Sequence, residues 1–177
     1  VTDEFGQSRT LFIPAERALT IYVDKRELVT LMTLGAHPEW LVLGYLRNQR
    51  LVETLDEIES ITVDWDVGAA AVKTRNGISD IEKRTEKRVV TTGCGQGSLF
   101  GDVLDALDGI QLPAAHVTQT QLEEITDTIR LQDSIYKKAG SVHGCALFST
   151  QDTHAEKLIF VETYRHRWIW KKNKCAN

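Results

Sequence analysis

The chain has 177 residues, 42% hydrophobic and 26% charged, with 21 Lys/Arg against 25 Asp/Glu and a formal charge of −4. This composition excludes disordered, collagenous and disulfide-framework classes, and the length allows a real core without covalent staples. The acidic balance argues against a nucleic-acid binder, no apolar run reaches the ~18–20 residues of a membrane span, and the start VTDEFGQSRTLF lacks the basic and apolar regions of a secretory signal; a soluble cytoplasmic domain, with no nucleic-acid and no membrane partner, is expected.

Residues 18–24 (ALTIYVD) and 27–33 (ELVTLMT) alternate apolar with polar side chains, which predicts two half-buried strands joined through Lys25 and Arg26. Pro38–Leu46 (PEWLVLGYL) changes to a thick apolar face behind a proline suited to a first helical turn. Two further strands are expected at Ile58–Trp65 and Ala69–Lys73, with Trp40 and Trp65 as core aromatics. The segment Ile81–Arg88 (IEKRTEKR) carries both signs and reads as a solvated face.

A glycine-dense turn, TTGCGQGS, follows at 91–98. Ser98 is a candidate cap for a helix with Leu99, Val103, Leu104 and Leu107 on its apolar face. A second helix is expected from Thr118 to Lys138, with Leu122, Ile125, Ile129 and Ile135 on one face and Gly140 as its C-cap. VHGCALF and KLIFVE then look like buried segments, with a strand at Leu158–Val161. Strands mixed with helices in this way predict an α/β or α+β fold. Three parts are expected: a strand-rich part with one helix at 1–90, a part at 91–162 that opens on the Gly-Cys turn, and a basic tail at 163–177. The last thirteen residues, RHRWIWKKNKCAN, hold five Lys/Arg and no acid.

Cys94, Cys145 and Cys175 form an odd set with no C-x-x-C spacing, so neither a disulfide framework nor a metal site is expected and reduced thiols fit best. Gly93, Gly95 and Gly97 alternate around Cys94. Glycines permit close backbone approach, and successive N–H groups in such a turn form an anion-binding nest that favours a thiolate, as does a position ahead of a helix. The residues alone leave three readings: a presented sulfur nucleophile, a phosphate-binding turn of a non-catalytic nucleotide-binding module, and a plain turn with an incidental cysteine. The turn is neither G-x-G-x-x-G nor a P-loop.

The motif TTGCGQG at 91–97, followed by GSVHGCAL at 140–147 and IFVE at 159–162 and preceded by PAERALTIYVD and HPEWLVLGYLRNQRLV, resembles the formate dehydrogenase accessory sulfurtransferase family (FdhD). The resemblance runs over residues 10–162. It implies a cytoplasmic sulfur carrier, with Cys94 bearing a persulfide received from a cysteine desulfurase and passed to the molybdenum cofactor before that cofactor enters formate dehydrogenase. It also implies an α/β part of cytidine-deaminase-like fold, incomplete here. Gly93 and Gly95 would support the thiolate, His143 would stand near it, and Glu162 matches the family's acidic position. A homodimer is the candidate assembly.

Two departures qualify these expectations. Many members carry C-x-x-C in the turn, and Gly97 stands where the second cysteine would be. The chain also leaves the family pattern after Glu162. The segment that would bind the guanine-dinucleotide form of the molybdenum cofactor is expected to be missing, as in a shortened or frameshifted member, so an inactive fragment is the bland alternative. The zinc signature H-x-E with P-C-x-x-C is absent, and deamination is excluded. His143 reads equally well as a hydrogen-bonded buried histidine, Cys145 as a small core residue, Cys175 as an exposed thiol, and His37, His116 and His154 as surface residues.

Overall fold

A computed structural model of the protein describes residues 1–86, 88–91, 97–100, 111, 114, 116–148 and 159–163. They fall into two compact units, one drawn from 16–112 and the other from 1–15 with 113–164. The architecture is α+β.

The first unit is built on a mixed four-stranded sheet of order β2-β1-β4-β3. Strands β1 (Arg17–Val23) and β2 (Arg26–Thr33) form the expected hairpin. Its turn residues are Asp24 and Lys25, one position earlier than expected, both at positive φ (47° and 72°) as a two-residue hairpin turn of matching twist requires. Asp24 also locks the turn to the far end of β4: its carboxylate accepts from the Thr74 N–H (2.9 Å) and hydroxyl (2.6 Å). The pairing slips between Ile21/Val29 and Tyr22/Glu27, leaving Leu28 as an extra residue. That bulge turns both Leu28 and Leu31 toward the core, although strict alternation would separate them.

Helix α1 (Pro38–Asn48) connects β2 to β3 (Ile58–Asp64), which pairs antiparallel with β4 (Ala69–Thr74). β4 in turn runs parallel to β1, with Thr20 opposite Ala69 and Val23 opposite Val72. Gly68 makes this approach possible: its φ is +64°, a Cβ there would stand 3.1 Å from the Ala18 carbonyl oxygen, and its own carbonyl accepts from the Thr20 N–H at 2.8 Å. The core lies between this sheet and α1, with Leu19, Ile21 and Ala70 from the strands and Val42 and Leu46 from the helix fully buried. Trp65 lies just beyond β3 and packs on the rim of this core with the Arg17 guanidinium 4.2 Å over its ring. Trp40 is half-buried and stacks on His37 at 4.3 Å. Both indoles are border residues, because α1 begins at Pro38 and β3 ends at Asp64.

A short 3₁₀ turn, Leu55–Glu57, precedes β3. The Glu57 carboxylate accepts from the N–H groups of Glu53 (2.7 Å) and Thr54 (2.6 Å). The charged segment forms α2 (Ile81–Glu86), in which Glu82, Lys83 and Glu86 are exposed, Thr85 is buried and Ile81 packs against the core. It is moored by an Arg26–Glu82 ion pair at 3.1 Å and by Arg84, which donates to the Arg50 carbonyl. Strands β5 (Arg88–Thr91) and β6 (Gly97–Phe100) then pair antiparallel, from Arg88 opposite Phe100 to Thr91 opposite Gly97. This corrects the expected helix start at Ser98. Ser98 and Leu99 lie in a strand opposite Val90 and Val89, because β-branched residues on the near side of the turn supply a strand partner that local capping signals ignore. Val103, Leu104 and Leu107 lie outside the described residues.

In the second unit the single helix expected over 118–138 is two helices, α3 (Gln119–Leu131) and α4 (Ile135–Ala139). Thr118 and Gln121 form a reciprocal capping box at the start of α3. The break follows from Ser134, whose hydroxyl accepts from the Lys137 N–H at 3.2 Å and so starts a new helix. Gly140 closes α4 with φ +64°, as expected. Strands β7 (His143–Leu147) and β8 (Ile159–Thr163) pair antiparallel. The apolar positions of α3 are not buried: Leu122 is 59% and Ile129 37% exposed.

Two outcomes follow. Leu46→Ala removes a fully buried side chain between α1 and the sheet; a loss of about 2–5 kcal/mol is expected in denaturant unfolding. The Glu57 carboxyl titrates below its ordinary value, chiefly through the Thr54 N–H, with the Glu53 N–H, the Thr54 hydroxyl and the Arg47 charge adding to it against the opposing effect of burial. Its folded value is therefore below its unfolded one, so its contribution to stability is complete above the ordinary carboxylate range and is lost as pH falls through the lowered value. Unfolding measured across acid pH should show this component vanish in Glu57→Gln.

Candidate functional site

The candidate site begins with the β5–β6 hairpin. Pairing of Thr91 with Gly97 fixes the two ends of the Gly-Cys connection, and α2 lies against β6. Gly93, Cys94 and Gly95, the residues the sequence points to most strongly, lie outside the described residues. Residues 97–100 form a strand, so no helix begins at Ser98 and no helix dipole acts on the Gly-Cys turn from there. Gly97, where a second cysteine would form C-x-x-C, is a β6 residue paired with Thr91.

His143 opens β7 in the other unit, half-buried and opposite Thr163. Cys145, two residues on and therefore on the same face of β7, is an exposed free thiol opposite Val161. This corrects its reading as a core residue. β7–β8 is a two-stranded ribbon, and in this stretch it is Val142, just before the strand, that is buried. His37 and His116 are exposed, as expected, whereas His154, Cys175 and Leu158 lie outside the described residues.

Glu162 has a structural task that the sequence did not disclose. From β8 its carboxylate accepts the N–H groups of Ile135 and of Tyr136 (2.8 Å), while Ser134 takes that of Lys137. Three orphan donors at the start of α4 are thereby satisfied. The contact spans 26 residues of sequence for Tyr136, so no local pattern could signal it. Asp133 beside it titrates below its ordinary value, chiefly because Lys138 donates to it at 3.0 Å. Among the described residues no group of three or more His, Cys, Asp or Glu is placed to hold a metal ion, and no helix is long and apolar enough to cross a membrane.

With the hairpin and its surroundings in place, comparison with known proteins decides the family. The FdhD/NarQ family profile matches residues 14–162. The chain belongs to the FdhD/NarQ family. Proteins named "Sulfur carrier protein FdhD" from Staphylococcus aureus strains JH9 and Newman are each 28% identical over 134 residues, covering 75% of this chain and 50% of theirs. The chain thus spans about half the length of these relatives. The crystal structure of a protein described as a formate dehydrogenase accessory protein from Desulfotalea psychrophila superposes with a TM-score of 0.54 at 18% identity, covering 93% of this chain and 59% of that one. This likeness supports the α+β fold.

Glu162→Ala should leave the Ile135 and Tyr136 amides without their acceptor. We expect a loss of about 1 kcal/mol and faster hydrogen exchange at 135–137. Unchanged exchange there would show that the clip carries no stability.

Proposed function

We propose that this chain is a sulfur carrier required for formate dehydrogenase activity, and that Cys94 carries the sulfur. The observation that supports the reading is the setting of Cys94: it is the middle residue of the five that connect the paired ends of β5 and β6, with glycine on both sides, in a chain of the FdhD/NarQ family. A cysteine between glycines meets little side-chain cover, and successive backbone N–H groups stabilise an anion on sulfur.

The donor is a cysteine desulfurase carrying a persulfide. The Cys94 thiolate attacks the outer sulfur, the donor's S–S bond breaks, and the donor cysteine departs as thiolate while a new S–S bond forms on Cys94. One sulfur atom moves and the two thiols exchange roles, with no net oxidation. The acceptor substrate is the molybdenum cofactor destined for formate dehydrogenase, and the compartment is the cytoplasm, where thiols stay reduced. Gly97 leaves Cys94 without a thiol three residues away, so the loaded persulfide has no neighbour in the turn with which to collapse into a disulfide.

Incubation with a cysteine desulfurase and cysteine, followed by intact-mass measurement, is the test. A gain of one sulfur atom, removed by thiol reductant, retained in Cys145→Ser and abolished in Cys94→Ser, is expected. Loading that persists in Cys94→Ser would assign the carrier role elsewhere and overturn the reading.

A further inference from the structure

Helix α2 has six residues, and β5 and β6 form a two-stranded sheet. A helix this short and a lone hairpin are each marginal in water. The hairpin leans on the helix, because α2 lies against β6 and one residue separates Glu86 from Arg88, where β5 begins. The order of the strand ends at Thr91 and Gly97 therefore depends on what holds α2.

The ties on α2 differ in kind. Ile81 packs against the core and Thr85 is buried. Glu82 pairs with Arg26 at 3.1 Å, but the two side chains are 87% and 41% exposed, and such pairs contribute little. Arg84 is half-buried and donates to the Arg50 carbonyl, 34 residues away. That acceptor is held firmly. Arg50 stands at φ +55° just past α1; its N–H donates to the Arg47 carbonyl at 3.0 Å, and the Leu51 N–H donates to the Leu46 carbonyl at 2.9 Å. These are the two bonds of a Schellman close, and Leu46 and Leu51 are both buried in the core. A guanidinium here also meets the negative end of the α1 dipole. Of the two polar ties, Arg84 is the nearer to the hairpin and the one with a rigid partner.

We propose that Arg84 is a positioning residue for sulfur transfer: by mooring α2 to the C-terminal end of α1, it holds the β5–β6 hairpin, and so the strand ends at Thr91 and Gly97, in one orientation toward the persulfide donor. This role rests on the reading of Cys94 as the sulfur-bearing residue. Without the tie, the hairpin samples other orientations and a smaller fraction of molecules is competent for encounter. Apparent affinity for the donor falls with that fraction, while the rate at saturating donor is kept.

Hydrogen exchange of the 88–91 and 97–100 amides in the full chain, measured beside the kinetics of loading by a cysteine desulfurase and cysteine, tests this. Arg84→Ala should speed exchange in both strands about tenfold and leave β1 and β4 unchanged. The same change should raise the half-saturating desulfurase concentration about fivefold at equal maximal rate. Alkylation of Cys94 by iodoacetamide, which needs no orientation of the hairpin, should keep its rate. Arg84→Lys retains a cationic donor and should restore most of the protection and of the donor affinity. Should Arg84→Ala fail to fold, Arg84→Gln, which keeps an N–H donor without the charge, takes its place in each comparison. A fall in maximal rate together with slower alkylation would place Arg84 at the thiol and overturn the positioning role. Unchanged hairpin exchange in a chain that loads normally overturns that role alone, whereas loading that persists in Cys94→Ser overturns the carrier reading and this role with it.

Discussion

The parallel pairing of β1 with β4 is the constraint on which the first unit depends. Each partner belongs to its own antiparallel hairpin, β1 with β2 and β4 with β3, and a lone hairpin is marginal in water. Joining them places Leu19, Ile21, Ala70 and Val72 in adjacent interior rows, at roughly 1.5–3 kcal/mol for each large apolar side chain removed from water. The joint needs a residue without a Cβ at position 68, where backbone meets backbone, and it is fastened at the other end by Asp24 on Thr74. Since parallel strands demand a crossover connection, α1 is obliged to pass over the sheet, and its buried Val42 and Leu46 complete the core.

The second unit rests on a different balance. Its backbone groups are well provided for: Thr118 and Gln121 cap α3, Ser134 and Glu162 cap α4, and Gly140 terminates it. Among the side chains of this unit whose burial is described, Val142 is the one buried hydrophobic. Polar satisfaction fixes geometry at modest net gain per bond, whereas burial supplies most of the driving force. Helix α3, capped at its backbone but with no buried side chain, is expected to open locally at low cost.

What the sequence revealed, and what it hid, divides along the range of the interactions involved. Period-2 alternation at 18–24 and 27–33, the proline opening α1 and the glycine closing α4 are local signals, and each marks a real boundary within one or two residues. The errors share the opposite cause. Ser98 has the chemistry of a cap, yet Val89 and Val90 lie across a turn from it and claim the segment as a strand. The apolar period from Leu122 to Ile135 continues through a point where Ser134 restarts the helix, because periodicity does not register who accepts the Lys137 N–H. Cys145 sits in an apolar run, but its exposure is set by how many strands flank β7. Glu162 was visible as a carboxylate at a strand end, and its partners lie too far away in sequence to be read.

The correction at Ser98 also changes the chemistry open to Cys94. A helix starting at Ser98 would have set aligned peptide dipoles beside Cys94; strand β6 does not, because strand dipoles alternate and nearly cancel. In the proposed carrier role, activation of Cys94 would then draw on backbone N–H groups of its flanking glycines or on the donor during encounter. A sulfur carrier gains from this arrangement. Nucleophilicity falls as the thiol pKa falls, and the best attacking thiol has a pKa near ambient pH. A cysteine stabilised only by its own turn keeps more intrinsic nucleophilicity than one held deep in a helix dipole. It also makes a poorer leaving group, so in the proposed role a sulfur accepted there would be held rather than surrendered to the first thiol that meets it. With Gly97 in β6 in place of a second cysteine, retention of a persulfide in the proposed role would rest on that balance.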